Sequence, residues 1–183
     1  MKKIIILVIA AGMSTSMLAQ IYLAKTCEIS FYSKTGAPAL EDIAAVNSIS
    51  KPLLNIITGD LQMKIVMTAF VFDKPLMQEH FNENYVESDK FPNAIFKGKI
   101  NEKIDYTKDG EHKVTVTGKL TLHGVEKEVT AEGVVWIEGQ TIMLSSTFKI
   151  LFADYAIDIP HLLGIPPDTQ IKFKAALEPF KKK

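Results

Sequence analysis

Residues 112–137 read HKVTVTGKLTLHGVEKEVTAEGVVWI. In the first half, Val114, Val116, Gly118, Leu120 and Leu122 share one face, while Lys113, Thr115, Thr117, Lys119 and Thr121 share the other. This period of two marks a strand with one buried face. His123-Gly124 is a turn signal. Beyond it the alternation resumes, with Val129, Ala131, Gly133, Val135 and Ile137 opposing Glu126, Glu128, Thr130 and Glu132. Two such runs joined by a tight turn form an antiparallel hairpin, because parallel strands need a long crossover between them.

The same reading extends outward. Downstream, Glu138-Gly139-Gln140 is a second short turn. TIMLSSTFKI (141–150) turns Ile142, Leu144, Phe148 and Ile150 to one side, and TQIKFKAAL (169–177) turns Ile171, Phe173, Ala175 and Leu177 inward against Lys172 and Lys174. Upstream, NAIFKGKI (93–100) places Ala94, Phe96, Gly98 and Ile100 inward. LQMKIVMTAFVF (61–72) reads as one long strand with Leu61, Met63, Ile65, Met67 and Ala69 on one face. LEDIAAVN (40–47) is a weaker strand, and AKTCEISFY (24–32) alternates Cys27, Ile29 and Phe31 with polar residues. About eight strands result. The fold class is all-β, and an antiparallel eight-stranded barrel closed on itself removes the long edges that a flat sheet would expose. The small inward residues Gly98, Gly118 and Gly133 suit a wall that bends tightly or leaves room inside.

Two segments break the alternation. KPLMQEHFNENYVESDKFP (74–92) spaces Met77, Phe81 and Tyr85 by four, a helical interval. Pro75 suits a first helical turn and Pro92 stops continuation, so one short helix is expected over a mouth or seam of the barrel. FADYAIDIPHLLGIPPD (152–168) carries three prolines and a glycine, and reads as an ordered loop across a barrel end.

Composition sets the function classes. The chain has 183 residues, of which 47% are hydrophobic and 23% charged, which excludes global disorder and suits one main domain. Its 21 basic residues balance 21 acidic ones, and all the basic ones are lysine. A neutral chain without the planar guanidinium fork is poorly equipped for nucleic acid or phosphate. The single cysteine, Cys27, excludes an internal disulfide and any multi-cysteine metal site. Residues 1–19, MKKIIILVIAAGMSTSMLA, pair two early lysines with an apolar run too short to span a membrane. They read as a signal peptide cut near Ala19-Gln20, which predicts export, a mature domain over 20–183, and no stable membrane insertion of that domain. Cys27 has no lipobox before it, and in an oxidising compartment a lone thiol reads as a buried apolar filler.

No catalytic motif stands out. His80, His112, His123 and His161 show no metal-ligand spacing on one element, and neither HExxH, GxSxG nor a glycine-rich phosphate loop occurs. Cys27 has no adjacent base, and Asp154 and Asp158 read as loop caps. The chain is read as a non-enzyme with no cofactor and no metal. A metal-dependent hydrolase using His80 and His161 at the barrel mouth would need those side chains to converge, and nothing in the sequence supports that. An eight-stranded barrel is just wide enough to be filled by side chains or to hold one small ligand. Period two does not separate these cases and by itself leans toward the filled core. If hollow, such an apolar interior rejects polar guests and selects long hydrocarbon chains. The methionines of 61–72 tilt slightly toward an adaptable lining.

Two stretches, LMQEHFNENYVESDKFPNAIFKGKI (76–100) and VTVTGKLTLHGVEKEV (114–129), resemble the YceI-like family of bacterial lipocalin-like, polyisoprenoid-binding proteins. In that family a short helix carrying an HF or HL pair leads to D-(F/Y)-P-x-(A/I)-x-F, and a G-x-L-T-(L/I)-H-G-V turn follows. Ser88 to Phe96 and Gly118 to Val125 are the matching positions, in the family's order, and STFKILFADYAIDIP (146–160) looks like its later strand and loop. The resemblance implies an extended barrel with a helical cap, a periplasmic location, and a tunnel for an isoprenoid or fatty-acyl chain. The chain departs from the family at Met77-Gln78, where many members have Arg-Asp, and it offers no arginine to an anionic head group.

On this reading Phe70, Phe96, Val116, Leu120, Val135, Leu144 and Phe148 line the interior, with Ala131 and Phe173 as further core or lining residues. Met77, Phe81 and Tyr85 seat the helix and form the entrance. His123 hydrogen-bonds turn backbone, and His80 is a candidate polar contact near the mouth. Trp136 is a surface aromatic or an interface residue, and a homodimer is left open. The alternative function is a structural or partner-binding barrel with a solid core and no ligand.

Overall fold

The alternation of apolar residues closes into a barrel. The structure, a computed structural model, describes residues 20–35, 42–159 and 164–181. The expected leader over 1–19, His161 and the first two residues of the expected strand 40–47 lie outside the described residues. The strands are β1 (Ile21–Ser33), β2 (Ile43–Asn47), β3 (Leu53–Asn55), β4 (Asp60–Val66), β5 (Val71–Phe72), β6 (Asn93–Ile100), β7 (Gly110–Leu122), β8 (Val125–Glu138), β9 (Thr141–Leu151) and β10 (Asp168–Pro179). All neighbours pair antiparallel, in the order β10-β9-β8-β7-β6-β4-β3-β1, and β1 pairs back onto β10 from Tyr22↔Pro179 to Tyr32↔Gln170. Because β2 continues the β3 side of β1, and β5 pairs with β2, the wall is an eight-stranded closed barrel with two staves each broken into two pieces.

The hairpin β7–β8 pairs from Leu122↔Val125 to Gly110↔Ile137, as the alternation predicts. Elsewhere the structure corrects the sequence reading. The run 61–72 is not one strand. After β4, a 3-10 turn over Met67–Ala69 closes with the Phe70 amide donating to the Met67 carbonyl at 3.2 Å, and the chain resumes as β5. A 3-10 turn advances three residues per turn, so it shifts the phase of the alternation. Leu61, Ile65 and Met67 remain buried, but Phe70 and Phe72 take the inner face in place of Ala69. β1 begins before the expected strand and carries a bulge, since Ala24 faces Leu177 while Thr26 faces Ala176, leaving Lys25 as the extra residue. β3 was too short to register as a period. The short helix expected within 74–92 is present: α1 spans Pro75–His80, and a wider π-type turn over Phe81–Tyr85 follows, closed by the Val86 amide on the Phe81 carbonyl at 2.9 Å.

Gly98 and Gly118 face each other across β6 and β7. A Cβ on Gly118 would lie 2.5 Å from the Lys97 carbonyl oxygen, and the Phe96 ring occupies the space a Gly98 side chain would take. The two glycines let these strands approach tightly and give Phe96 its place on the inner wall. At the far end, Tyr22, Leu54, Ile137, Ile142 and Leu177 are at most 3% exposed and pack the barrel shut. Cys27 is buried in β1, and desolvation pushes its thiol up to about 11, as befits an inert apolar filler.

At the opposite end, one junction ties the cap to the barrel. The His123 Nδ1 lies 3.0 Å from the Tyr155 carbonyl oxygen, and Nε2 lies 3.0 Å from Glu87 Oε2. Nδ1 is therefore the donor to backbone, although to the backbone of the 3-10 turn Phe152–Tyr155 and not to that of its own hairpin. Glu87, His123 and Ala156 are the non-glycine residues with positive φ among the described residues, and all three meet here. Backbone strain of this kind persists only where surrounding contacts impose it. Lys90 and His123 both hold the Glu87 carboxyl below its usual range.

Two outcomes follow. Gly118→Ala forces a methyl into backbone that has no rotamer to yield, and lowers unfolding free energy by about 2 kcal/mol in urea titration. Because Glu87 is lowered in the folded state, its contribution is present above the ordinary glutamate range and disappears as pH falls through its folded value. Glu87→Gln should therefore reduce Tm at pH 7 and leave Tm less sensitive to acidification below pH 4.5, the ordinary value for this carboxyl. An unchanged Tm profile between pH 3 and 7 would show that the junction carries no stability.

Candidate apolar cavity

Between the packed end and the cap the inner faces of the strands do not meet. They border a cavity of about 220 Å³ that is open to solvent over part of its surface. Apolar cavities of about 150 Å³ already stay dry and take a benzene-sized guest. Period two reports which face a side chain takes, and the hollow comes from the distance between opposing walls.

The structure places all ten residues named from the sequence on this cavity. Phe96 from β6, Val116 and Leu120 from β7, Val135 from β8, and Leu144 and Phe148 from β9 form its sides. Phe70 enters from the turn between β4 and β5. Met77, Phe81 and Tyr85 close it from α1 and the wider turn, which puts the helix over the barrel mouth. Ala131 and Phe173 line it too. The wall therefore rests on residues far apart in the chain, brought together by closure.

Sequence reasoning missed the organising cluster. Phe31 sits 5.6 Å from Phe70, 5.6 Å from Phe72 and 5.4 Å from Phe81, measured between ring centroids. Phe72 and Phe81 are 5.0 Å apart, and Phe70 and Phe81 5.8 Å. Such ring pairs contribute about 0.5–1.5 kcal/mol each beyond area burial. They join β1, the broken stave and the cap into one unit. Phe31 was legible as an inward residue of its strand, whereas Phe72 was hidden by the phase shift at Met67–Ala69.

The polar side chains of the lining are few, and three of them are bonded to backbone. Ser33 Oγ donates to the Asp168 carbonyl at 3.4 Å, Thr169 Oγ1 to the Tyr32 carbonyl at 3.1 Å, and Ser146 Oγ to the Glu132 carbonyl at 2.6 Å. No Lys, His, Asp or Glu is among the described lining residues. An ion entering such a space would lose hydration that no partner replaces, whereas a hydrocarbon loses none. His80 does not reach the cavity. It is exposed on α1, with Nδ1 3.0 Å from Asn84 Nδ2. Its supposed partner His161 lies outside the described residues, and no cluster of three metal-ligating side chains occurs among those described. Trp136 is 43% exposed on the outer face. Among the described residues no helix is long and apolar enough to cross a membrane.

Comparison with known proteins follows the geometry. The barrel is similar to a polyisoprenoid binding domain from Saccharophagus degradans implicated in plant cell wall breakdown, at TM-score 0.73 and 16% identity over 90% of this chain and 100% of that one. It is similar to BcnA of Burkholderia cenocepacia, at TM-score 0.66 and 19% identity over 82% and 95% of the two chains. It also resembles a YCEI protein of Campylobacter jejuni, at TM-score 0.57 and 19% identity over 78% and 82%. At these identities the likeness shows the fold. No curated protein sequence matches the chain. The YceI-like domain model matches residues 18–177, a span that takes in the helix motif, the LTLHGV turn and every strand bordering the cavity, and the chain therefore belongs to the YceI-like family.

Proposed function

We propose that this protein is an exported, non-catalytic binding protein that carries or sequesters a long apolar chain, isoprenoid or fatty-acyl, inside the barrel. The observation that supports it is an apolar space inside the barrel with no charged side chain among its described lining residues. Each methylene buried there contributes about 0.8 kcal/mol. About ten of them outweigh much of the entropy lost on association. The polyisoprenoid binding of the Saccharophagus relative is consistent with a chain of this class. A filled barrel serving only as a structural or partner-binding module has no use for such a space.

The head group is constrained by the same chemistry. The chain has no arginine, and the lining hydroxyls of Ser33, Ser146 and Thr169 are engaged with backbone carbonyls. A phosphate or carboxylate is best accommodated outside the cavity, with the tail inside. Export rests on the basic-then-apolar segment 1–19, and the periplasm is the compartment this reading proposes.

Extraction of the purified protein into organic solvent, followed by mass spectrometry, should release a long-chain lipid. Ala131→Trp projects a bulky ring into the cavity and should weaken binding of cis-parinaric acid, a fluorescent polyene fatty acid, at least tenfold. Thr130→Trp, on the outer face, should leave it unchanged. An extract free of lipid together with no probe binding by the unsubstituted protein would refute the binding reading. Intact mass of protein from the periplasmic fraction should correspond to a chain beginning near Gln20.

A further inference from the structure

The barrel wall is not evenly sewn. β7 and β8 pair along their whole length, and β9 and β10 pair from Ile142↔Leu177 to Leu151↔Asp168. β8 and β9, however, pair only from Glu138↔Thr141 to Gly133↔Ser146. Beyond that point Val125–Glu132 of β8 and Thr147–Leu151 of β9 form no ladder with each other. The end of the ladder is marked chemically, since the Glu132 carbonyl takes its hydrogen bond from the Ser146 hydroxyl at 2.6 Å.

The cavity reaches this place. Inner and outer residues alternate along β8 and β9, yet the lining includes Val134 and Ser145 beside their inward neighbours Gly133, Val135, Leu144 and Ser146. Val134 and Ser145 face each other in register and belong to the outer face. Among the described strand residues of the lining, these two stand out of alternation. At Gly133, in the last ladder pair, the two backbones approach closely, since a Cβ there would lie 2.6 Å from the Ser145 carbonyl oxygen. A second interruption of the wall, where β2 gives way to β3, is closed differently. Asn47 is fully buried there and bridges the gap, its amide donating to the Val66 carbonyl at 2.9 Å while its oxygen accepts from Ser50 Oγ at 3.1 Å. At the β8–β9 gap the Ser146–Glu132 bond sits at the edge of the opening, and among the described residues no buried amide spans the stretch beyond it. Its upper border is the 3-10 turn Phe152–Tyr155, which touches both strands and contributes Phe152 to the lining.

The geometry points to the gap between β8 and β9 as a lateral portal through which a hydrocarbon chain enters and leaves the cavity. This inference rests on the binding reading above. A chain crossing the wall here displaces no backbone hydrogen bond between strands, whereas crossing at a laddered seam would leave several buried N–H and C=O groups unpaired. On the outer face the gap is flanked by Thr130 and Glu132 of β8 and by Thr147 and Lys149 of β9, with Trp136 and Met143 paired inside the ladder beside it.

The test is a reversible staple. In a Cys27→Ser background, Glu132→Cys and Thr147→Cys place thiols on the two strands just past the last ladder pair, where extending the register sets them opposite each other. Disulfide formation is verified by intact mass, and uptake of cis-parinaric acid is followed by stopped flow. The expected result is a rate at least tenfold lower in the oxidised protein and restored by reductant. Ser145→Trp, which puts an indole at the opening without a crosslink, should also slow uptake, and it decides the matter if the disulfide does not form. A verified staple, or the indole, with uptake unchanged overturns the portal while leaving the binding reading intact. Failure of the reduced, unsubstituted protein to take up the probe at all overturns the binding reading and the portal with it.

Discussion

The structure depends on the pairing of β1 with β10. These strands stand near opposite ends of the chain, and their ten paired positions convert an open sheet into a closed wall. Without that ladder the inward faces of the remaining strands would have no opposing surface, and the exposed edges would be sites for association. Closure requires the strands to coil, and the chain meets this with the glycine pair at 98 and 118, the bulge at Lys25 and the interruptions in two staves.

Closure also sets up a division of labour along the barrel axis. At one end, Tyr22, Leu54, Ile137, Ile142 and Leu177 fill the cross-section, giving a packed anchor with few voids. At the other, the phenylalanine cluster around Phe31 and the cap residues Met77, Phe81 and Tyr85 roof a space that the wall residues do not fill. The cap is held by a polar junction on its outer side, where His123 joins Glu87 and Tyr155 across 36 and 32 residues of chain. Stability and the hollow are thus assigned to different ends of the same eight staves, and the cavity does not have to be won from the region that holds the fold together.

Much of the wall was legible in the sequence. The hairpin at 112–137, the strands at 141–150 and 169–177 and the inward set of 93–100 follow from alternation, because each of these strands buries one face and exposes the other to water. The cavity residues Val116, Leu120, Val135, Leu144 and Phe148 were identifiable for the same reason. The break after Val66 was not, because an apolar run such as 61–72 satisfies a strand pattern whichever residues face inward. The choice of Phe70 and Phe72 over Ala69 is made by the rings of Phe31 and Phe81. The partners of His123 were equally out of reach, since each lies on a separate element.

By itself the sequence determined the secondary structure class, the direction taken by residues of the regularly alternating strands and the absence of the guanidinium chemistry that grips anionic groups. Only the tertiary structure decided that the inward residues stop short of one another toward the cap, that the other end is packed, and that the ladder of one seam stops at Gly133↔Ser146. The reason is geometric. Alternation is a local property of the chain, set by the pleat of a single strand, whereas the width of an interior depends on how far apart closed staves hold their facing side chains.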